Sequence, residues 1–325
     1  MRLITYQQAG QQRLAATLDD HAIDLNRAAA ALHRSRGAVN AQALADATVP
    51  ADMVAFLAAG KDACLAAGAA LNHLAAIDRE EARRDLLILP MSDVKLLPPV
   101  PRPPKIICVA RNYAKHAKEA NLPLPELPIL FTRFANTLVA PGDPVIRPTV
   151  SEELDWEGEL AAIIGEPGYR ITRERAMDHI AGYSVFNDVT VRDYQFRVTQ
   201  YTAGKNFRAS GPFGPYLVTA DAVADPHDLP ITTEVNGNVK QDANTNEFIF
   251  DLPTIIEHIS EFVPLEVGDV IATGTPAGVG FKREPAEFLR PGDSVKVTID
   301  GIGVLENPVV AEEDALAGDG ADGFA

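Results

Sequence analysis

The chain has 325 residues, of which 46% are hydrophobic and 23% charged, the balance of a globular protein with a buried core. Its formal net charge of −16 argues against nucleic acid as a partner, because a phosphate backbone would be repelled over most of the surface. No apolar run reaches the ~20 residues of a membrane-spanning helix, and we expect neither a membrane partner nor a signal peptide. With only two cysteines we expect no disulfide framework and, by default, a cytoplasmic location.

The composition changes along the chain and predicts four segments. Residues 1–97 combine short strands with Ala-rich helical stretches, and we interpret them as a small α/β domain. Residues 98–104 are rich in proline, which removes backbone donors and fixes φ, so they predict a linker. Residues 105–311 alternate short β-rich runs with Gly, Pro and Asp turns, which predicts a mainly β domain. Residues 312–325 are acidic and rich in Gly and Ala, and we expect a flexible tail.

The first predicted strand of the β domain, Ile106–Val109, leads directly into a helical segment with His116 and Glu119. Residues three apart are neighbours on a helix. A glutamate beside an imidazole holds its tautomer and raises its basicity, which suits a general base acting on water. A surface pair without function is the alternative, and it is the commoner one for an arbitrary His/Glu pair.

The next candidate is a charged run, Asp155-Trp156-Glu157-Gly158-Glu159, that leads into an apolar strand. Alternate side chains of a strand share a face, so Asp155, Glu157 and Glu159 are expected to point the same way. Carboxylates on one face repel each other unless a cation lies between them, and magnesium prefers oxygen ligands. Two interpretations stay open: a magnesium site, or a solvent-exposed strand face at a sheet edge.

Three later polar residues are each ambiguous when taken alone. Asp188 follows the predicted strand Tyr183–Phe186 and is either a third metal ligand or a turn aspartate. Lys205 lies among glycine and apolar residues, and it is either a substrate-anion contact or a solvated lysine. Thr275 lies in a glycine-rich loop after the strand Val270–Ala272, and this loop lacks the Gly-Lys-Ser/Thr ending of a phosphate-binding loop. The loop either cradles a carboxylate or forms a plain turn.

The order of the motifs is more specific than any of them alone. Asn-Tyr-x-x-His-x-x-Glu, Asp-x-Glu-x-Glu-Leu, Asn-Asp-x-Thr-x-Arg-Asp, Gly-Lys-x-Phe and Thr-Gly-Thr-Pro-x-Gly-Val-Gly follow one another between Lys105 and Val309. This series resembles the fumarylacetoacetate hydrolase family. The resemblance implies an α+β fold, with a mixed, mainly antiparallel β-roll catalytic domain and a small α/β N-terminal domain. It also implies a homodimer.

The resemblance also assigns roles to single positions. It implies Mg²⁺, with Mn²⁺ or Ca²⁺ as substitutes, bound by Glu157, Glu159 and Asp188. It further implies catalytic roles for His116, Glu119 and Lys205, and substrate contacts by Arg192, Gln195 and Thr275. Two departures from the family pattern, at Arg133 and at Ala110-Arg111, concern the substrate. Arg111 and Arg133 hint at a second substrate carboxylate, and a surface salt bridge explains either arginine equally well.

The activity implied by the resemblance is magnesium-dependent hydrolysis of a C–C bond. The expected substrate is a 2,4-dioxo acid, an acylpyruvate such as fumarylpyruvate, with release of pyruvate. The metal would also supply the positive charge that an acidic protein lacks for binding a small 2-oxo acid. Oxaloacetate decarboxylation and isomerisation or dehydration of a 2-oxo acid are the alternatives, because they use the same enolate. A degenerate family member that only binds or scaffolds is a further one.

Overall fold

The computed structural model describes residues 1–119 and 123–318. The strands are β1 Arg2–Gln8, β2 Gln11–Leu18, β3 His21–Asp24, β4 Ile88–Pro90, β5 Lys95–Leu97, β6 Ile106–Ala110, β7 Ile129–Arg133, β8 Leu138–Val139, β9 Val145–Arg147, β10 Leu154–Asp155, β11 Gly158–Ile164, β12 Ile180–Asn187, β13 Thr190–Val191, β14 Gly211–Thr219, β15 Pro230–Val235, β16 Asn238–Asn244, β17 Val270–Ala272, β18 Ser294–Ile299 and β19 Gly303–Ala311. The helices are α1 Leu25–Ser35, α2 Ala41–Thr48, α3 Met53–Ala58, α4 Gly60–Leu74, α5 Arg79–Arg84, α6 Ala114–Glu119, α7 Arg192–Gln195, α8 Thr202–Lys205, α9 Leu252–Ser260 and α10 Glu312–Gly318. None of these helices is long and apolar enough to cross a bilayer.

Two large, mainly antiparallel sheets form the framework of the described residues. The larger has the strand order β4-β3-β2-β1-β14-β12-β11-β17-β6-β7, an open path with β5 attached to β1 and β8 to β14. The smaller has the order β16-β15-β18-β19-β9. Apolar side chains from both sheets, among them Leu160, Val185, Ile231 and Val297, pack together with α9 in one buried cluster. The mixed, mainly antiparallel fold expected from the sequence is therefore confirmed.

The N-terminal strands continue the large sheet rather than forming one of their own. Leu3 of β1 pairs with Leu217 of β14. Helices α1, α2 and α4 cover this end of the sheet, and their apolar residues share one buried cluster with Phe186 and Phe213 of the central strands. Because one sheet contains strands from both sides of residues 98–104, the division into two domains there stays a proposal about folding units.

The start of the predicted flexible tail, residues 312–325, differs from expectation. Residues 312–318 form helix α10, which directly follows β19. Acidic residues in its first turn interact favourably with the helix dipole. The Glu312 carboxylate also accepts hydrogen bonds from the amide and hydroxyl of Thr149, both at 2.8 Å. Residues 319–325 lie outside the described part of the chain.

Strand directions bring distant segments to one edge of the large sheet. β11 runs antiparallel to both β12 and β17, and β6 is parallel to β17. The beginning of β11 therefore lies beside the carboxyl ends of β12, β17 and β6. Four of the five motifs flank these strand ends, and the fifth, with Lys205, lies on α8.

Candidate active site

Three buried carboxylates meet at this sheet edge. Glu157, Glu159 and Asp188 each offer an oxygen within 4.8 Å of the other two, and we call them the carboxylate cluster. Strand register explains the meeting, because Gly158 pairs with Asn187. The Asp188 amide also donates to the Glu157 carbonyl at 2.8 Å. The structure thus brings the three predicted metal ligands together.

Asp155 does not join the cluster, and the expectation that it shares a face with Glu157 and Glu159 is wrong. It belongs to the short strand β10, and the chain leaves regular β structure at Trp156 and Glu157 before β11 begins. Its carboxylate accepts the amides of Gly280 at 2.7 Å and Phe281 at 3.0 Å. Asp155 therefore anchors the loop after β17.

Two buried cations, Lys205 and Arg192, contact Glu157 of the cluster. Nζ of Lys205 donates to Oε2 of Glu157 at 2.7 Å and to Oδ2 of Asp188 at 2.5 Å. Nη1 of Arg192 lies 2.7 Å from Oε1 of Glu157, and its Nε donates to Asp155 at 2.8 Å. Burial alone would raise the pKa of Glu157, but Lys205 and Arg192 outweigh burial and lower it to about 2. Burial would lower the pKa of Lys205, but Asp188 and Glu157 raise it, so the ammonium keeps its proton.

Glu159 lacks such a partner among the described residues. Its Oε2 accepts one hydrogen bond, from the Gly274 amide at 2.8 Å. Burial, and then the neighbouring carboxylates of Asp188 and Glu157, raise its pKa well above the ordinary value. A buried carboxylate without a cation, in a set of oxygen donors only, fits a hard divalent metal ion.

The charges buried around the cluster also fit a divalent metal ion. The fully buried charged groups here are four carboxylates and three cations, namely Asp155, Glu157, Glu159, Asp188, Arg133, Arg192 and Lys205. With all seven groups ionised, one net negative charge remains. A divalent cation would turn it into one positive charge, which suits an anionic substrate in a protein of net charge −16.

Arg133 is a buried partner of the cluster rather than a pocket wall or a surface residue. Its Nε donates to Oδ1 of Asp188. Its other nitrogens donate to the Val189 carbonyl at 2.5 Å, the Thr137 hydroxyl at 3.3 Å and the Ser210 hydroxyl at 3.1 Å. These contacts occupy the buried guanidinium, so the hint that Arg133 binds a substrate carboxylate is wrong.

The His116–Glu119 pair lies on α6 at the mouth of the site. Nδ1 of His116 is 3.4 Å from Oε2 of Glu119, without the alignment of a hydrogen bond. Both Glu119 oxygens instead lie within hydrogen-bonding distance of the Gly278 amide, at 3.1 and 3.2 Å. His116 and Glu119 therefore lie side by side, and Glu119 contacts the loop after β17 through Gly278.

A cleft opens above the cluster. Its lining includes Ala110, Arg111, His116, Phe131, Glu157, Glu159, Arg192, Gln195, Phe196, Tyr201, Lys205, Thr275 and Phe281. Gln195 accepts a hydrogen bond from Arg192 at 3.0 Å. The Thr275 hydroxyl donates to the Gly158 carbonyl at 3.0 Å and accepts from Gln241 at 2.8 Å, so it braces β11.

Sequence reasoning missed several residues of this site. Gln241 reaches from the smaller sheet to Gly158 and Thr275, and no local pattern indicates contacts between residues 83 and 34 positions apart. Asn112 binds the carbonyls of Phe250 and Thr273 at 3.0 and 2.9 Å, and it could have been found from the Asn-Tyr motif. The aromatic lining had no sequence signal, because scattered aromatic residues usually indicate core.

Helices α7 and α8 are packed so closely that Gly204 cannot carry a side chain. A Cβ there would lie 2.6 Å from backbone atoms of Gln195. We expect Gly204→Ala to displace Arg192 and Lys205, to lower kcat at least ~10-fold and to cost roughly 1–3 kcal/mol of unfolding free energy. Urea titration and steady-state kinetics measure both effects. Gly68→Ala on α4, where a Cβ meets nothing within 4 Å, is the control and should not destabilise. Equal behaviour of the two variants would contradict this packing argument.

Known proteins resemble this chain over most of its length. The family model described as fumarylacetoacetate (FAA) hydrolase C-terminal matches residues 105–310. The human protein named oxaloacetate tautomerase FAHD2A, mitochondrial, is 45% identical over 276 residues, 84% of each chain. The protein named oxaloacetate tautomerase YisK of Bacillus subtilis is 44% identical over 223 residues, 67% of this chain and 74% of that one.

Solved structures share the fold over nearly the whole chain. A fumarylacetoacetate hydrolase from the psychrophile Exiguobacterium antarcticum superposes with a TM-score of 0.75 at 34% identity, covering 96% of this chain and 100% of that one. A maleylpyruvate hydrolase from Sphingobium sp. SYK-6, in complex with manganese(II) and pyruvate, gives 0.71 at 30% identity, covering 96% and 99%. With a family model over most of its length and relatives at this identity, the chain belongs to the fumarylacetoacetate hydrolase family.

Proposed function

We propose that this protein is a divalent-metal-dependent enzyme that interconverts the enol and keto forms of oxaloacetate. The observation that carries this proposal is the 45% identity, over 84% of the chain, to a human protein named oxaloacetate tautomerase. The Bacillus relative has the same activity in its name. Tautomerisation corresponds to the isomerase alternative that the sequence left open beside hydrolysis.

The carboxylate cluster, Glu157, Glu159 and Asp188, would hold the metal. Mg²⁺ is our first choice, with Mn²⁺ or Ca²⁺ as substitutes, because all three accept carboxylate oxygens. The manganese in the maleylpyruvate hydrolase complex supports a divalent ion in a related site. Such an ion supplies Lewis acidity toward the 2-oxo group of a chelated substrate.

The chain's own residues would handle the proton. In enolisation the C3–H bond breaks and its electron pair forms the C2=C3 bond. The π pair of the C2=O bond moves to the oxygen, which gains a proton, so no co-substrate is consumed. We assign proton transfer to His116, which lines the cleft next to Glu119. Lys205, held protonated by Glu157 and Asp188, places positive charge beside the cluster and favours negative charge on the substrate oxygen.

Hydrolysis of a C–C bond in a 2,4-dioxo acid is the second candidate. The observation in its favour is the 3.4 Å approach of His116 to Glu119, the arrangement expected for activating water. The similarity to a maleylpyruvate hydrolase supports it as well. Oxaloacetate decarboxylation needs no attacking water and remains a third outcome of the same site.

One assay separates these activities. The enol form of oxaloacetate is added from an aprotic solvent to Mg²⁺-loaded and EDTA-treated protein, and enol absorbance and pyruvate are followed together. Metal-dependent loss of enol without pyruvate supports the tautomerase. Pyruvate from oxaloacetate indicates a decarboxylase, whereas pyruvate only from fumarylpyruvate indicates the hydrolase. Loss of enol at the buffer rate would reject the tautomerase.

His116→Ala should lower kcat for enol loss by ~10²–10⁴-fold, the usual contribution of a general acid–base group, with a smaller change in KM. The matched control is Lys118→Ala, at an exposed position of the same helix. If His116→Ala loses enol at the parent rate but no longer releases pyruvate from fumarylpyruvate, His116 acts in hydrolysis and not in tautomerisation.

Assembly and location are part of the proposal. We propose a homodimer, to be measured by light scattering. Cys64 and Cys108 are both free, which agrees with a reduced compartment such as the cytoplasm. The human relative carries mitochondrial in its name, so fractionation of the source cell has to decide between these compartments.

A further inference from the structure

Arg111 differs from the other cationic side chains at the site. Lys205 and Arg192 both contact carboxylates of the cluster, and the buried Arg133 is bound to Asp188. Arg111 lines the same cleft, but it forms no ion pair with any described residue, and its Nε is buried without a hydrogen-bond partner. A buried donor left unpaired is costly, so such groups are usually satisfied by a ligand or water.

The backbone of Arg111 is held in an unfavourable conformation. Its φ of +57° lies in the left-handed region, which residues with a Cβ rarely adopt. Strain of this kind persists where the surrounding structure enforces it, and it concentrates at ligand-binding sites.

Neighbouring contacts enforce this conformation and set the position of Arg111. Asn112, the next residue, binds Thr273 and Phe250 through its side chain. Gly274, whose amide binds Glu159, passes so close to Asn112 that a Cβ on Gly274 would lie 2.8 Å from it. Arg111 is therefore fixed to the loop that carries one wall of the carboxylate cluster.

We propose that Arg111 is a specificity-determining residue that binds the second carboxylate of a 2-oxo dicarboxylate whose other end is bound at the carboxylate cluster. A guanidinium matches a carboxylate with two parallel hydrogen bonds. Charge supports the assignment: the buried groups and a divalent ion leave one positive charge, Arg111 adds another, and a dianion neutralises both. The inference rests on the metal site of the proposed function, and it implies a preference for dicarboxylates over monocarboxylates.

The test uses binding rather than turnover. Full-length, Mg²⁺-loaded protein is titrated with malate and with lactate, two 2-hydroxy acids that share the same head group and differ in the second carboxylate. We expect malate to bind the parent protein more tightly than lactate. Arg111→Met should weaken the binding of malate by about 10- to 100-fold, because one charged hydrogen-bonded pair is lost, and the binding of lactate by less than about 3-fold. Arg111→Lys should recover part of the malate affinity.

Two controls separate this role from general effects. Arg36→Met removes one charge from an exposed position and should change the affinity for neither ligand. Arg111→Gly relieves the left-handed strain, so its Tm should equal or exceed that of the parent, although its malate preference should vanish. A lower Tm for Arg111→Gly would indicate a structural role and overturn the inference.

The remaining outcomes are equally decisive. Equal weakening of malate and lactate, no preference for malate in the parent protein, or unchanged malate binding in Arg111→Met would each overturn the role of Arg111. If the parent protein fails to convert enol oxaloacetate but shows an Arg111-dependent preference for malate, the proposed tautomerase is wrong and the dicarboxylate assignment stands.

Discussion

Glu159→Gln is expected to abolish turnover, lowering kcat/KM by ~10³-fold or more, because it removes a negative charge from the carboxylate cluster and so weakens binding of the metal that would supply the Lewis acid. Glutamine keeps the shape of the side chain and can still accept the Gly274 amide that Glu159 accepts at 2.8 Å. The fold should therefore be retained. Metal titration should show Mg²⁺ affinity reduced by about 10²-fold, since affinity depends on the number of ligand charges.

Without metal, Glu159→Gln should not lower the unfolding free energy of the protein. Burial and the neighbouring carboxylates raise the pKa of Glu159, so its ionised form is disfavoured in the folded protein. An amide avoids that cost, and urea titration in EDTA should show unfolding free energy unchanged or raised by about 1–3 kcal/mol. Glu80→Gln, at an exposed position of α5, is the control and should leave both measurements unchanged. A loss of several kcal/mol in EDTA would mean that Glu159 is a structural residue.

Lys205→Met is expected to be the most destabilising substitution in the site. It leaves Glu157 and Asp188 buried without the ammonium that contacts them at 2.7 and 2.5 Å. Removing one partner of a buried ion pair typically costs ~3–5 kcal/mol, and we expect that loss in urea titrations with EDTA. Turnover should fall by ~10²–10⁴-fold, because charge stabilisation beside the substrate is lost as well.

Metal should recover part of that stability. A divalent ion places positive charge among the same carboxylates, so saturating Mg²⁺ should stabilise Lys205→Met more than it stabilises the parent protein. Lys296→Met is the matched control: Lys296 pairs with Glu234 at 2.9 Å but is partly exposed, and its loss should cost less than ~1 kcal/mol with or without metal. An equal response of Lys205→Met and the parent protein to Mg²⁺ would show that metal and ammonium do not share the cluster.

The sequence alone determined the features that depend on local pattern and on motif order. Glu157 and Glu159 lie close together as the sequence pattern predicts, although Glu157 precedes β11, and the predicted strand Val270–Ala272 coincides with β17. Five motifs in one order identified the family. These successes have one cause, since strand alternation and turn residues act over a few neighbouring positions.

Only the tertiary structure decided how the charged groups are paired. Asp155 looked like a fourth cluster member until the break before β11 turned it toward Gly280, 125 residues away. Arg133 looked like a substrate contact, yet it is committed to Asp188 across 55 residues. Arg111, which looks similar in sequence, forms no ion pair with any described residue, and its Nε has no hydrogen-bond partner there. The sequence shows which side chains are charged. Their ion-pair partners depend on which strand ends lie together at one sheet edge, and no local sequence pattern predicts that arrangement.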